Sequence, residues 1–452
     1  MVAPRHSVPL LITALLSTTA AVGSDSSDRP LFDYRQITLE NGLRVITLED
    51  HSAPVVAVQV WYHVGSKDER PDRTGFAHMF EHMMFRGTDR LGPTDHFRYI
   101  RQTGGYTNGY TTFDQTVYLE TLPSDQLPLA LWLEADRMAT LRIDEAVFKR
   151  EVEVVKEERR MRVENQPYGR LSEIIYDQAF TTHPYKHPTI GSLADLEAAS
   201  IEDVREFHRT YYVPENATLT IVGDFEIPQA VQLVNQYFAR VPKAARPVPR
   251  DIPKEPAWTK ERRVTVEESW PLPAVVVAHH ITYDGHPDSY PLHMASKILS
   301  DGQSARIVRE LVYNKRLALT AFGQGNITEH PNLFFAVAIV QPGRTVQEAE
   351  KALIAELDKL AREPVTAHEL QRAKNQFARD YILGRESNQE KALHLAHAAV
   401  LHNDITTADG EFDIFMNVSA GDIQRVAKTY FRPENRLVLT IMPRGAATGG
   451  AK

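Results

Sequence analysis

The sequence predicts an α+β protein made of two homologous repeats, each a mainly antiparallel sheet with helices packed on one face. Three observations lead there: a long internal repeat, alternating strands mixed with amphipathic helices, and a proline-rich seam between the copies. The stretch Ser200 to Asn216 resembles Ser419 to Asn435, 219 residues further on. Both copies open on Ser, end on Pro-Glu-Asn and run into β-rich strings, Leu219 to Val222 and Leu439 to Met442. Each unit reads as a capped helix, a turn and a buried strand. Strand patterns such as Val55 to Trp61, and a hairpin pattern from Gly109 to Glu120, favour antiparallel pairing. Long amphipathic helices are expected at Asp195 to Thr210 and His368 to Ile382. Between Val241 and Arg262, Pro242, Pro247, Pro249, Pro253 and Pro256 stand among charged residues, which reads as a stiff linker. The expected organisation is therefore a repeat over 30–242, a linker over 243–261 and a second repeat over 262–445.

Composition narrows the chemistry. The 452 residues are enough for two or three domains, and 42% hydrophobic with 24% charged residues is globular. Lys+Arg 51 against Asp+Glu 59 leaves a net charge of -8, which gives no attraction to nucleic acid or anionic membranes. There is no cysteine, so disulfides, thiolate metal sites and cysteine nucleophiles are excluded. A metal site must come from His, Asp and Glu. At the N-terminus, Arg5 and His6 precede an apolar run from Val8 to Val22, with small residues at Ala20, Ala21 and Gly23. Residues 1–23 read as a cleaved signal peptide, being short for a membrane span. The expected location is the periplasm or the medium, with no membrane association after cleavage.

The chemistry begins on one helix. Arg73 to Gly87 reads as a helix capped near Thr74 and stopped at Gly87. His78 and His82, four apart, share a face with Glu81. Two imidazoles one turn apart can both reach one Zn²⁺ at about 2.0–2.1 Å. Glu81 is then placed to take a proton from the attacking water. Phe76, Met79, Phe80, Met83 and Met84 bury the rest of the helix, and buried ionisable groups need a metal or partners. A hydrolytic zinc needs a third protein ligand. From Asp144, the expected N-cap, a second helix runs to Met161, and at about 100° per residue Glu151, Val154, Val155, Glu158 and Met161 fall on one stripe. Glu151 and Glu158 are thus the inward carboxylates, and Glu158 is favoured over Glu157 as the third ligand.

His78-Met-Phe-Glu81-His82, followed 76 residues after His82 by Glu158, resembles the pitrilysin–insulinase family of inverted zincins, zinc metallopeptidases. Gly104 to Asn108, the strand to Tyr118, and His183 to Gly191 match its pattern as well. The resemblance implies His78, His82 and Glu158 as ligands of one Zn²⁺ per chain and Glu81 as general base. It implies Glu151 as an acidic residue supporting the ligands. Asn108 would lie on a strand beside a bound peptide; an Asn-Gly turn with Gly109 fits the sequence equally well. The implied activity is endopeptidase cleavage of peptides or unfolded segments within a clamshell of which this chain makes half.

Aligning Tyr290 to Leu299 with Gly75 to Met84 puts His293 under His78, Ser296 under Glu81 and Lys297 under His82. The second repeat is therefore read as a degenerate, non-catalytic wall. Val312 and Leu319 stand where the family often carries a substrate-holding Arg and Tyr. A homo- or hetero-dimer, with a related subunit supplying those contacts, is the expectation. The other readings are a non-catalytic scaffold or peptide-binding subunit of the same fold, and a zinc storage or transport protein. His394 and His397 share a helix face without a third ligand nearby and read as structural.

Overall fold

Eleven strands form two sheets in the computed structural model, which describes residues 32–445; the signal peptide expected at 1–23 lies outside the described residues. The first sheet holds β1 (Arg35–Thr38), β2 (Arg44–Glu49), β3 (Val55–Tyr62), β4 (Tyr106–Thr111), β5 (Thr116–Pro123) and β6 (Ala217–Gly223). Their order is β1-β2-β6-β3-β5-β4. The second holds β7 (Arg262–Glu268), β8 (Ala274–His280), β9 (Ala318–Gly325), β10 (Leu333–Val340) and β11 (Leu437–Pro443). Their order is β7-β11-β8-β10-β9, so with β1 set aside the two sheets have one topology. Only β2–β6 and β7–β11 are parallel; the other pairs are antiparallel.

The repeat persists to single atoms. Ser200 with Asp203, and Ser419 with Asp422, form matching capping boxes. Asn216 Nδ2 donates to the carbonyls of His63 and Tyr211, and Asn435 Nδ2 to those of His280 and Tyr430. Each Pro-Glu-Asn turn thereby ties the end of its helix to the end of the neighbouring strand, β3 or β8.

Helices of the same repeat cover one face of each sheet. On the first, Val58 and Val60 pack with Phe76, Phe80, Leu131 and Val155. The opposite face is covered by the other repeat. In the helix Asn388–Leu401, Leu395 and Ala399 pack on Ile46, Leu48 and Val222, while Ala396 and Val400 pack on Trp61 and Val117. Reciprocally, Ile174, Ile175 and Tyr176 of the helix Leu171–Ala179 pack on Val276, Val337 and Leu439 of the second sheet. Each repeat lends one helix to the other. As a result β3 is buried on both faces apart from its first residue, although its sequence carries a polar residue. That residue, Gln59, is satisfied by donating to Gln389 O at 2.8 Å and accepting from Trp61 Nε1 at 2.9 Å.

The helix expected over Asp195 to Thr210 is two helices, Leu193–Ala198 and Ile201–Tyr211, broken where the Ser200 hydroxyl accepts the Asp203 N–H at 3.1 Å. The helix expected over His368 to Ile382 lies within Ala367–Leu383. Residues 243–261 carry no helix or strand. They are tied to the first sheet by Arg250, which donates to His63 O at 2.8 Å. Glu255 also accepts the backbone N–H groups of Thr181, Thr182 and His183.

Candidate active site

The helix Phe76–Met83 buries Phe76, Ala77, Met79, Phe80 and Met83, which fixes its rotation and turns His78, Glu81 and His82 to the remaining face. Its cap is not Thr74, whose hydroxyl donates to the Asp195 carboxylate instead. Gly75 precedes the helix at φ +92, where a Cβ would come within 2.8 Å of Ile190 O, so only glycine fits. The orphan N–H groups go to a fully buried carboxylate: Glu69 Oε2 accepts from Gly75 at 2.8 Å and Oε1 from Ala77 at 2.7 Å. Burial pushes the Glu69 carboxyl well above the ordinary range. Glu69→Ala is expected to cost about 2 kcal/mol, a lost cap plus buried orphan donors. Urea unfolding of the metal-free protein checks this, with Glu69→Gln losing less because it keeps one acceptor.

The second helix, Glu145–Arg159, is capped as expected: Asp144 accepts from Ala146 at 2.9 Å and Val147 at 3.2 Å. Its inward side holds Phe148, Glu151, Val152, Val155 and Arg159, while Val154 and Met161 are exposed. The stripe projected from the sequence is therefore too far round by part of a turn. A π-turn over Arg160–Glu164 moves Met161 off it altogether. Glu158 still faces inward and Glu157 faces solvent.

The two helices bring three ligand atoms together. His78 Nε2 lies 3.7 Å and His82 Nε2 3.3 Å from Glu158 Oε2, and one atom of each residue lies within 4.8 Å of the others. Tetrahedral zinc with ligand bonds of about 2.0–2.2 Å holds its ligand atoms roughly 3.3–3.6 Å apart, so this donor set fits zinc. Glu151 sits behind His82: Oε2 is 3.5 Å from His82 Nδ1 and accepts from Arg86 Nη2 at 3.0 Å, and Arg86 Nε forms an ion pair with Oε1 at 2.8 Å. That contact turns His82 Nε2 toward Glu158. Glu158 Oε1 is taken by Arg162 at 2.5 Å, which leaves Oε2 for the metal. Glu81 accepts from Thr111 Oγ1 at 2.8 Å. Arg86, Thr111 and Arg162 were not singled out from the sequence. Arg162, four residues after Glu158, carried a helical-spacing signal; Thr111 belongs to another element and carried none.

Asn108 lies in β4, paired opposite Leu119, and not in an Asn-Gly turn. The neighbouring glycine explains the pairing: a Cβ at Gly109 would stand 3.1 Å from Glu81 Cγ, so the strand approaches the helix only there without a side chain. Asn108 is exposed on the free edge of the sheet and lines a cleft of about 890 Å³ with His78, Glu81, His82 and Glu158. A second cleft, about 590 Å³, shares Phe113, Gly169 and Ser172 with it and reaches Phe322 and Gln324 on β9. Sheet edges from both repeats thus line connected space.

Electrostatics separates the residues. Burial pushes the Glu81 carboxyl above its ordinary value, against the Thr111 hydrogen bond. Burial, reinforced by His82, holds His78 down at about 4. Burial would lower His82, but the Glu151 and Glu158 carboxylates overcome it and raise it to about 9. Burial would likewise raise Glu151, yet His82 and Arg86 hold it below the usual carboxylate value. Ligation requires neutral imidazole. Zinc uptake at pH 7 is therefore expected to expel about one proton, from His82, and affinity should fall up to tenfold per pH unit below about 9. Calorimetry in buffers of different ionisation enthalpy counts that proton; a count of zero contradicts the prediction.

In the second repeat the equivalent helix, Ser289–Ser300, is wired differently. His293 packs against Phe415 and Phe377, Lys297 Nζ pairs with Asp380 at 2.7 Å, and Ser296 Oγ accepts the Gly325 N–H at 3.3 Å. Val312 packs on the second core, and Leu319 is exposed on β9.

Residues 44–193 match the model of the insulinase family (peptidase family M16), and residues 198–377 match that of the peptidase M16 inactive domain. The zinc protease PqqE of Helicobacter pylori is 30% identical over 436 residues, covering 96% of this chain and 98% of that protein. The probable mitochondrial-processing peptidase subunit beta of Arabidopsis thaliana is 25% identical over 425 residues, 91% of this chain and 78% of that protein. Among solved structures, a protease from Helicobacter pylori matches with a TM-score of 0.87 at 30% identity, covering 91% of this chain and all (100%) of that one. The periplasmic protease PqqL from Escherichia coli shares the fold, with a TM-score of 0.75 at 17% identity over 92% of this chain and 48% of that one. With the Helicobacter pylori zinc protease matching nearly end to end at 30% identity, the chain belongs to the insulinase family of peptidases, M16.

Proposed function

We propose that the chain is a zinc-dependent endopeptidase that hydrolyses peptides or unfolded segments in an enclosed chamber. The observation that carries this reading is the convergence of His78 Nε2, His82 Nε2 and Glu158 Oε2 beside Glu81 in one cleft. His78, His82 and Glu158 would hold one zinc per chain. Bound there, zinc supplies Lewis-acid polarisation of the scissile carbonyl and of the attacking water. Glu81, its carboxyl raised by burial and aimed by Thr111, takes the proton from that water and returns it to the leaving amine. Glu151 and Arg86 hold the His82 ring in its ligating orientation. The substrate backbone pairs with the free edge of β4 near Asn108, so recognition is mostly main-chain.

In this reading 30–242 is the catalytic repeat, 243–261 a linker and 262–445 a degenerate repeat forming the opposite wall. Residues 1–23 serve as a signal peptide for export to the periplasm or medium; among the described residues no helix is long and apolar enough to cross a membrane. A homo- or heterodimer completes the substrate contacts, which the exposed Leu319 on β9 supports. The test is zinc content together with turnover of a quenched peptide, before and after chelation, with and without a co-purified partner. Loss of turnover on chelation and its return on adding zinc are expected. Turnover that survives complete zinc removal overturns the reading.

A further inference from the structure

A second cluster lies outside the cleft. Asp284, in the loop between β8 and the helix Ser289–Ser300, places Oδ2 3.1 Å from His397 Nε2 and 3.2 Å from His402 Nε2. One ligand atom from each residue lies within 4.8 Å of the others, a set as tight as that formed by His78, His82 and Glu158. Asp284 Oδ1 and His402 Nδ1 are committed elsewhere, which leaves Asp284 Oδ2 and His402 Nε2 facing the centre. Asp284 Oδ1 accepts the Gly285 N–H at 2.9 Å. The Thr407 hydroxyl donates to Asp404 O at 2.8 Å, so its oxygen must accept from His402 Nδ1, 2.8 Å away. His402 Nδ1 therefore carries a proton, and Nε2 is the ring nitrogen left facing the centre. That Nε2 is buried and has no hydrogen-bond partner among the described residues, although a carboxylate oxygen lies 3.2 Å off. A cation held between that nitrogen and the carboxylate oxygen would satisfy both.

We propose that Asp284, His397 and His402 form a second divalent-metal site, suited to zinc by its two imidazoles and one carboxylate, that staples the lent helix Asn388–Leu401 to a loop of its own repeat. The sequence reading of His397 as structural lacked Asp284, which stands more than 100 residues earlier in the chain. The position gives the staple its purpose. His397 and His402 sit at the C-terminal end of the helix that covers the back of the first sheet. Asp284 belongs to the same repeat as the two histidines, and its N–H donates to Thr328 O at 2.7 Å. The adjacent Glu329 meets His63 at 2.8 Å and Lys67 at 3.0 Å in the first repeat. A metal here fixes the end of the lent helix to the loops where the repeats meet. A third His-carboxylate cluster, His96, Glu120 and Glu134, already encloses the Arg137 guanidinium and needs no metal.

The proposal does not depend on catalysis at His78, His82 and Glu158, and the experiment separates the two. The full chain is loaded with zinc, freed of excess by dialysis and assayed for metal per chain. Two zinc ions are expected for the wild type, one for His82→Gln, one for His402→Gln and none for the double variant. The His402→Gln protein should keep its peptide turnover and melt at a lower temperature than the wild type in zinc. Chelation should lower the melting temperature of His82→Gln but not that of the double variant. Asp284→Asn, which preserves shape, replaces His402→Gln if that variant does not fold. One zinc in the wild type with none in His82→Gln overturns the second site and leaves the first intact. One zinc in the wild type that persists in His82→Gln but is lost in His402→Gln supports the second site and overturns the first.

Discussion

Glu81→Gln is expected to lower kcat for peptide hydrolysis by about 10²–10⁴-fold, equivalent to roughly 3–5 kcal/mol of barrier, while zinc content stays unchanged. The substitution keeps the shape of the side chain and an oxygen that can accept from Thr111 Oγ1, so the orientation of the group survives. What it removes is the ability to take a proton. Glu81 is not among the three converging ligand residues, so the metal has no reason to leave. Peptide pairing along the β4 edge uses backbone groups that the change does not touch, so KM should move little. Glu158→Gln is the informative contrast. It removes the carboxylate that faces both imidazoles, so zinc and turnover should fall together. If Glu81→Gln retains turnover within a few-fold with metal bound, the base is another group and the proposed roles are wrong.

Much of this site was legible because its signals are local. His78, Glu81 and His82 share a helix face by spacing alone. Asp144 announced where the second helix starts, and the helical period chose Glu158 over Glu157 even though Val154 and Met161 proved exposed. The displacement of Met161 from the stripe has a cause that periodicity does not encode. A π-turn runs over Arg160–Glu164, where Arg162 pairs back onto Glu158 and Arg159 with Glu173. The cap on the first helix was misread for a related reason. Thr74 is a reasonable cap residue by type, but the donors are met by Glu69, which lies outside the helix and is brought back by its own short turn.

The long-range features were the least legible. An amphipathic pattern states that a face is buried, never what buries it, so the exchange of the helices Leu171–Ala179 and Asn388–Leu401 could not be read from either segment. The repeat itself was visible because duplicated capping and turn residues keep their chemistry. The edge position of Asn108 was ambiguous because Asn-Gly favours turns, and the deciding fact, close contact of Gly109 with Glu81, is tertiary.

Arg137→Met is expected to destabilise the protein by about 3–5 kcal/mol. Arg137 is completely buried, and Nε donates to Glu134 Oε2 at 2.8 Å, with a second contact from Nη2 to Oε1. Glu120, also completely buried, lies beside this pair and meets His96 Nε2 at 2.6 Å. The guanidinium carbon stands 4.3 Å from the Tyr118 ring centre and 4.9 Å from that of Phe85. Those two rings and Glu81 are the groups against which Gly109 packs, so the buried cation supports the floor of the cleft. Burial already pushes Glu120 and Glu134 up to about 7, even with Arg137 present to oppose it. Methionine fills the volume but leaves both carboxyls without a cation in apolar surroundings. Their folded-state pKa values then lie still further above the unfolded value. Carboxyls raised in this way favour the folded state only while protonated, so the deficit should grow once pH passes about 7 and be larger at pH 8 than at pH 5. Urea unfolding at both pH values measures it. Adding Glu134→Leu to Arg137→Met should recover much of the loss, because replacing a whole buried pair costs far less than stranding one partner. A deficit below about 1 kcal/mol, or one indifferent to pH, would mean that water or backbone groups solvate the carboxylates and that Arg137 is not what holds this floor together.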